Sequence, residues 1–129
     1  MELPIIHQEI WKSESGMMCL ARRYSMRKQL NWQWWCGYVV IPHDHPLYGI
    51  SDCWCPYEFD TGHDPSCRSC FLTHVLVHGG ITFTGFIGED WCVGFDMNHD
   101  LDRDKDWNLD DCKAETERLA KQIAAAHSL

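Results

Sequence analysis

The sequence predicts an α+β fold, with an antiparallel sheet of four to six strands, a C-terminal helix packed on one face and a long Cys-rich loop. Three observations support this prediction. Runs of alternating aromatic and β-branched residues recur along the chain, as they do in half-buried strands. Glycines and prolines separate these runs. The last segment, residues 109–127, instead repeats its apolar side chains at helical spacing.

One domain accounts for the whole length. A chain of 129 residues buries roughly two-thirds of its unfolded surface, which is enough for a single core. An apolar content of 45% and seven tryptophans are typical of a globular protein. We therefore interpret residues 1–129 as one domain, with residues 42–70 as a Cys/His/Pro-rich loop insertion.

The alternating runs place the strands. They are predicted at residues 17–25, 32–41, 71–78, 81–86 and 91–95. Pro42 ends the second strand, and Gly79 and Gly80 form a turn or bulge between the third and the fourth. The last three strands follow one another as a meander.

The tryptophans of the second strand have two interpretations. Alternation puts Trp32 and Trp34 on one face of the sheet and Trp35 on the other, so that one face packs in the core. A tryptophan left exposed beside Tyr38 would instead stack a nucleobase or anchor a partner.

The terminal helix is predicted to begin after Asn108. Asp110 and Asp111 place negative charge in its first turn, where it interacts favourably with the helix dipole. The apolar side chains that follow are Cys112, Leu119, Ala120, Ile123, Ala124 and Ala125. This stripe predicts a helix that covers one face of the sheet and extends to about His127.

Four of the eight cysteines lie in the loop, which has no apolar core of its own. They form a C-x-C and a C-x-x-C pair with eleven residues in between: Cys53, Cys55, Cys67 and Cys70. Four thiolates at this spacing predict a structural zinc ion that staples a loop of unusual length. His63 or His74 would complete a three-cysteine, one-histidine shell instead, and reduced thiols, disulfides or a redox pair are the alternatives to zinc. The other four cysteines are interpreted as small core residues: Cys19, Cys36, Cys92 and Cys112.

Two glycine-bearing segments, residues 77–83 and 94–102, carry acid/base or metal-ligand chemistry with only ten residues between them. A hairpin turn at residues 85–88 would gather their polar side chains at one rim of the sheet: His78, Asp96, His99 and Asp102. Imidazole and carboxylate groups bind divalent ions or transfer protons, and three ligands with an open position are usual in catalytic metal sites. In such a site His45 or Asp102 would act as the acid or base.

The same residues also have a structural interpretation. His78, which precedes two glycines, is able to hydrogen-bond across a hairpin, and Asp96 is able to cap a turn through the backbone. His43 and His45 form a second cluster, in the sequence His-Asp-His-Pro, for which a solvated loop is the alternative.

Charge and terminal sequence exclude some classes of protein. Eleven Lys and Arg against nineteen Asp and Glu give a formal charge of −8, which disfavours direct binding to nucleic acid. The positive charge is concentrated in the first quarter of the chain, where a basic strip would hold a small anion or a partner. The first residues do not have the pattern of a secretory signal, and no apolar run approaches the ~20 residues of a membrane span. We therefore expect a cytoplasmic protein without membrane contact.

The order of several short motifs resembles that of a group of small bacteriophage and prophage proteins. The matching segments are Cys-Gly-Tyr-Val at 36–39, His-Pro-x-Tyr-Gly at 45–49, Val-His-Gly-Gly-x-Thr-Phe at 77–83, Gly-Phe-Asp-x-x-His-x-x-Asp at 94–102 and a helix with Glu-x-x-x-Leu-Ala at 115–122. The resemblance extends over roughly residues 32–125. In the resembling proteins the loop between the second and third motifs is often short and without cysteines, so the block from Cys53 to Cys70 is interpreted as an insertion.

The resemblance implies a phage accessory protein that acts in the host cytoplasm. Small size and negative charge favour a protein that binds a host factor, for instance to antagonise an antiviral defence system. The alternative is a small metal-dependent hydrolase, or a nucleotide-processing or nucleotide-binding protein, with His78, Asp96 and His99 around an ion. The expected partner is accordingly a host protein or a small anionic ligand.

Overall fold

An antiparallel sheet with a C-terminal helix on one face is the framework of the computed structural model, which describes residues 5–26, 32–51, 68–97 and 107–126. The elements in chain order are β1 (Ile5–Lys12), β2 (Met18–Met26), β3 (Trp32–Val40), α1 (Arg68–His74), β4 (Phe83–Ile87), β5 (Asp90–Asp96) and α2 (Leu109–Ala124). The five strands lie in the order β1-β2-β3-β5-β4, and all neighbours are antiparallel. The predicted α+β fold is confirmed.

Alternation along β3 divides the core between the two faces of the sheet. Trp35 and Val39 belong to the larger cluster, which packs against α2, whereas Trp34, Cys36 and Tyr38 belong to a second cluster on the opposite face. The predicted separation of the tryptophans is therefore confirmed for Trp34 and Trp35. Both are buried, with 8% and 5% of their surface exposed, so neither is an exposed stacking platform.

α2 begins and packs as its sequence predicts. The Asn108 side chain accepts a hydrogen bond from the Asp111 backbone at 2.9 Å, and the Asp111 carboxylate accepts one from the Asn108 backbone at 3.1 Å. This reciprocal capping box satisfies two backbone donors at the start of the helix. Leu119 and Ile123 are fully buried against the sheet. The helix ends at Ala124, and His127, to which it was predicted to extend, lies outside the described residues.

The strand predicted at residues 71–78 is wrong. Residues 71–74 complete α1, and residues 75–80 follow as an irregular stretch beside α2. Leu72 and Val75 are both buried, and their spacing of three residues suits a helical turn. An apolar run this short is compatible with a strand and with a helix, so the sequence pattern could not distinguish them. The Gln122 side chain replaces a strand partner for Leu76, because its amide accepts from the Leu76 N–H at 2.9 Å and donates to the Leu76 carbonyl at 2.8 Å.

The loop insertion is described only at its two ends. Residues 42–51 form successive turns closed by backbone hydrogen bonds, as predicted for an irregular segment. Its other end differs from the prediction, since α1 already begins at Arg68. Residues 52–67 lie outside the described part of the chain. Neither of the two helices described above is long and apolar enough to span a membrane.

Candidate functional site

The His-Gly-Gly turn places His78 beside the N-terminal half of α2. Gly79 and Gly80 have φ angles of 69° and 77°, a conformation that glycine adopts without strain. The His78 N–H donates to Glu115 Oε1 at 2.9 Å, and the imidazole ring lies edge-on to Trp107 with 4.9 Å between the ring centroids. The predicted turn is confirmed, and it orients His78 towards α2.

Asp96 lies on β5, the strand to which the segment after His78 is hydrogen-bonded. It ends β5 and pairs with Cys36 of β3, so strand alternation directs its side chain to the face opposite α2. Burial, followed by the negative charge of Asp96, raises the pKa of Cys36 to about 12. The Thr82 N–H donates to the Gly94 carbonyl at 3.0 Å, which joins the segment after His78 to β5. Asp96 therefore lies beside Cys36 on the face of the sheet opposite α2, whereas the His78 backbone lies beside α2.

His45 lies at the other end of α2. Its Nδ1 accepts from the Leu47 N–H at 3.1 Å, so Nε2 carries the proton and donates to the Ile123 carbonyl at 2.9 Å. Ile123 and Glu115, the partner of His78, are eight residues apart on α2, which is about 12 Å along the helix axis. His45 and His78 therefore do not share one rim.

Most of the other predicted ligands are not described. His99, Asp102, Cys53, Cys55 and Cys67 lie outside the described residues, and of Cys70 only the backbone is described, in the first turn of α1. Among the side chains that are described, no group of three or more His, Cys, Asp or Glu is arranged to hold a metal ion. The zinc site and the His78/Asp96/His99 site stay predictions.

The four cysteines predicted to lie in the core are buried there as free thiols. Burial is the main cause that raises the pKa of Cys19, Cys36 and Cys112 to about 12 and that of Cys92 to about 11. A thiol that stays protonated at neutral pH is a poor nucleophile and a poor metal ligand. These residues therefore serve packing.

A row of aromatic rings that was not predicted from the sequence lies where the loop after β3 meets the β4–β5 hairpin. We call it the aromatic patch, and its members are His43, Tyr48, Phe86 and Trp91. Phe86 and Trp91 pair across the hairpin with 5.0 Å between ring centroids. Tyr48 lies 6.4 Å from Trp91 and stacks on His43 at 4.4 Å. The four rings form one continuous array.

The aromatic patch has the chemistry of a binding surface. Phe86 exposes 59% of its surface, and His43 is also exposed. Within the described part of the chain, Trp91 Nε1 is buried without a hydrogen-bond partner. Exposed carboxylates adjoin the patch in the sequence: Asp44, Glu89 and Asp90. Exposed aromatic rings are typical of surfaces that contact a partner.

Part of this patch had a signal in the sequence. Gly88 has a φ of 63°, and a two-residue turn at Gly88 and Glu89 places Phe86 opposite Trp91 by counting back along the strands. Tyr48 had no comparable signal, because its position depends on how the loop after β3 folds onto the sheet.

Comparison of the chain with family models, with curated proteins and with solved structures gives no match. The geometry of the described residues and the motif resemblance therefore carry the functional argument.

Proposed function

We propose that this protein is a phage accessory protein that acts in the host cytoplasm by binding a host protein through the aromatic patch. The phage and cytoplasmic parts of this proposal are supported by the motif resemblance. The binding part is supported by one observation, the exposure of Phe86 at the end of a row of four rings flanked by carboxylates. A protein of an antiviral defence system is the class of host factor that we expect.

The chemistry of the patch favours a partner with a positively charged surface. Lysine and arginine side chains bind over aromatic rings, with tryptophan the most favourable ring, and each such contact contributes about 0.5–2 kcal/mol. Asp44, Glu89 and Asp90 supply negative charge beside the rings, and the whole chain carries −8. Host enzymes that hold nucleic acid in a basic channel present such a surface, which an acidic protein is able to occupy.

A comparison of Phe86→Ala with Ile10→Ala tests this surface. Both side chains expose 59% of their area, but Phe86 lies on β4 and Ile10 on β1, at opposite edges of the sheet. The protein is used to capture host proteins, the retained partner is purified, and its dissociation constant is measured by titration calorimetry. We expect Phe86→Ala to weaken binding at least about tenfold, as loss of a dominant aromatic contact does, and Ile10→Ala to leave the dissociation constant of each single site unchanged.

The salt dependence of the same binding tests the charge of the partner. Affinity should fall as salt is raised, because ions screen the attraction between the carboxylates and a basic surface. Equal binding by wild type and Phe86→Ala, or no retained partner from permissive hosts, would contradict the proposal.

We further propose that zinc staples the loop insertion through Cys53, Cys55, Cys67 and Cys70. The support is the spacing of the two cysteine pairs in a segment without its own apolar core. Elemental analysis of protein purified without chelator should find one zinc per chain, which Cys67→Ser/Cys70→Ser loses and His78→Ala/Asp96→Ala retains. Loss of metal with the second variant would instead support the metal-dependent enzyme.

A further inference from the structure

β1 is an edge strand that is open along one side. In the part of the chain that the structure describes, it pairs only with β2, and no described strand pairs with the backbone N–H and C=O groups on its other side. Its eight residues make it longer than the usual five or six. A long open edge is a template for pairing with another strand, and proteins normally cover or block it.

The exposed apolar side chains are concentrated at this edge. Of the six large apolar side chains that the described residues expose, four lie here: Ile5 (45%), Ile6 (45%), Ile10 (59%) and Met18 (42%). Ile10 pairs with Leu20 and Met18 pairs with Lys12, so Ile10 and Met18 are diagonal neighbours on one face. The edge therefore combines unpaired backbone with apolar surface, which is the composition of an interface.

We propose that the partner of this edge is a second copy of the same chain, with the two β1 strands antiparallel around a two-fold axis at Gln8. In this register Gln8 faces Gln8 of the second copy, His7 faces its Glu9, and Ile6 faces its Ile10. His7 Nε2 already lies 3.4 Å from Glu9 Oε2 within one chain, so the pairing forms a cluster of two imidazoles and two carboxylates. The β1–β2 register shifts between Ile5 and His7 and is regular from His7 to Lys12, so the Gln8 and His7–Glu9 contacts lie on the regular part of the strand and Ile6 lies at the irregularity.

Neighbouring registers are less favourable. A two-fold axis at Glu9 would place two Glu9 carboxylates opposite each other, and directly opposed like charges destabilise a strand pair. An axis at His7 would place Ile5 opposite Glu9, so that the apolar side chains no longer meet. With the axis at Gln8, His7 lies opposite Glu9 of the second copy, which pairs opposite charges when His7 is protonated. Ile6 lies opposite Ile10 of the second copy, so the apolar side chains also meet.

The charge distribution also permits contact at this edge. The chain carries −8, and two copies repel each other at their acidic surfaces. Residues 5–26 contain three Lys or Arg against two Glu, a formal charge of +1. The two copies therefore meet at a segment that does not share the net negative charge of the whole chain.

The mass in solution tests the pairing. Light scattering over a concentration series should give twice the 15.1 kDa of one chain for wild type and for Phe86→Lys, but the mass of a single chain for Ile10→Lys. Ile10 and Phe86 are equally exposed, so we expect the two substitutions to change the free energy of unfolding by similar amounts. A single-chain mass for wild type at every concentration, or a dimer that Ile10→Lys leaves intact, would overturn the proposal.

Disulfide cross-linking tests the register and does not depend on the stability of Ile10→Lys. Side chains that face each other across paired strands have Cβ atoms about 4.5–5.5 Å apart, close enough for a disulfide after small adjustment. Gln8→Cys should form a reducible dimer under mild oxidation, beyond the background of wild type. Lys12→Cys, which lies far from its copy in this register, should not. Cross-linking of Lys12→Cys in preference to Gln8→Cys would overturn the register at Gln8.

Discussion

At the residue scale, Gly37 fixes how closely α2 approaches the sheet. A Cβ atom at this position would collide with the Thr116 hydroxyl and would lie 2.6 Å from Phe95 Cε1. Thr116 is itself held, because its hydroxyl donates to the Cys112 carbonyl at 2.7 Å. The helix therefore rests directly on the backbone of β3, and no side chain fits between them.

Gly37→Ala should consequently destabilise the protein by about 1–3 kcal/mol or more, the usual cost of overpacking a core. The control is Gly85→Ala on β4, where the nearest atom to the new Cβ is Phe83 Cζ at 3.4 Å, an ordinary contact. We expect its free energy of unfolding to stay within about 0.5 kcal/mol of wild type in urea titrations. Similar values for the two variants would contradict the close approach at Gly37.

Single residues were predictable where burial follows from local alternation. Trp34, Trp35 and the four core cysteines were placed correctly, since alternation along a strand, or helical spacing in the case of Cys112, assigns each side chain to a face. His45 was interpreted as an acid or base, yet its ring binds the Ile123 carbonyl. That contact joins residues far apart in the sequence, and no periodicity reports such contacts.

At the scale of elements, α2 is secured at both ends by side-chain hydrogen bonds. Asn108 and Asp111 satisfy backbone donors at its start, and His45 satisfies the Ile123 carbonyl near its end. The first arrangement lies within four residues and could be read from the sequence. The His45 contact requires the loop after β3 to fold back to α2, so it could not be predicted from the sequence.

His45→Ala should lower the free energy of unfolding by about 1–2 kcal/mol, because the Leu47 N–H loses its acceptor and the Ile123 carbonyl, which also accepts from the Ala126 N–H, loses one of its donors. His43→Ala is the matched control, since His43 is exposed and two residues away, and it should change stability by less than about 0.5 kcal/mol. Urea unfolding of the two variants decides between the roles. A His45→Ala protein as stable as wild type would favour an acid/base role instead.

Elements were hardest to predict where the pattern of apolar residues is short or incomplete. β1 was not predicted, because its exposed isoleucines do not alternate cleanly with polar residues. Residues 71–78 were predicted as a strand because Leu72, Val75 and Val77 suit either structure. In both segments the structure depends on a tertiary partner. β1 is held by its pairing with β2, and the stretch around Leu76 is held by Gln122 of α2.

At the scale of the whole molecule, the sheet separates two surfaces with different chemistry. β1 forms one edge, with exposed apolar side chains in a segment, residues 5–26, of formal charge +1, whereas β4 forms the other edge, with the aromatic patch and its carboxylates. A chain paired through β1 would keep both copies of the patch free. The proposed dimer would thus present two partner-binding surfaces, and two linked contacts increase the apparent affinity for a host assembly that carries repeated sites.

The stability of the whole molecule should fall on the alkaline side of neutrality. The pKa values of the four core thiols are about 11–12 in the folded chain, above the ordinary value of 9.0, mainly because the thiols are buried. Between these values the unfolded chain has released protons that the folded chain still holds, so folding loses free energy as the pH rises. This contribution is complete below about pH 9 and is lost as the pH rises towards about 12.

Urea unfolding at a series of pH values from about 8 to about 10.5 measures this dependence, and each thiol contributes a slope of at most about 1.4 kcal/mol per pH unit. Cys36→Ala should show a shallower slope than wild type, because one of the four titrating thiols is gone. The substitution also shifts stability at every pH through lost packing, so the slope is the quantity to compare. A slope that Cys36→Ala leaves unchanged would mean that the buried thiols do not cause the alkaline loss of stability.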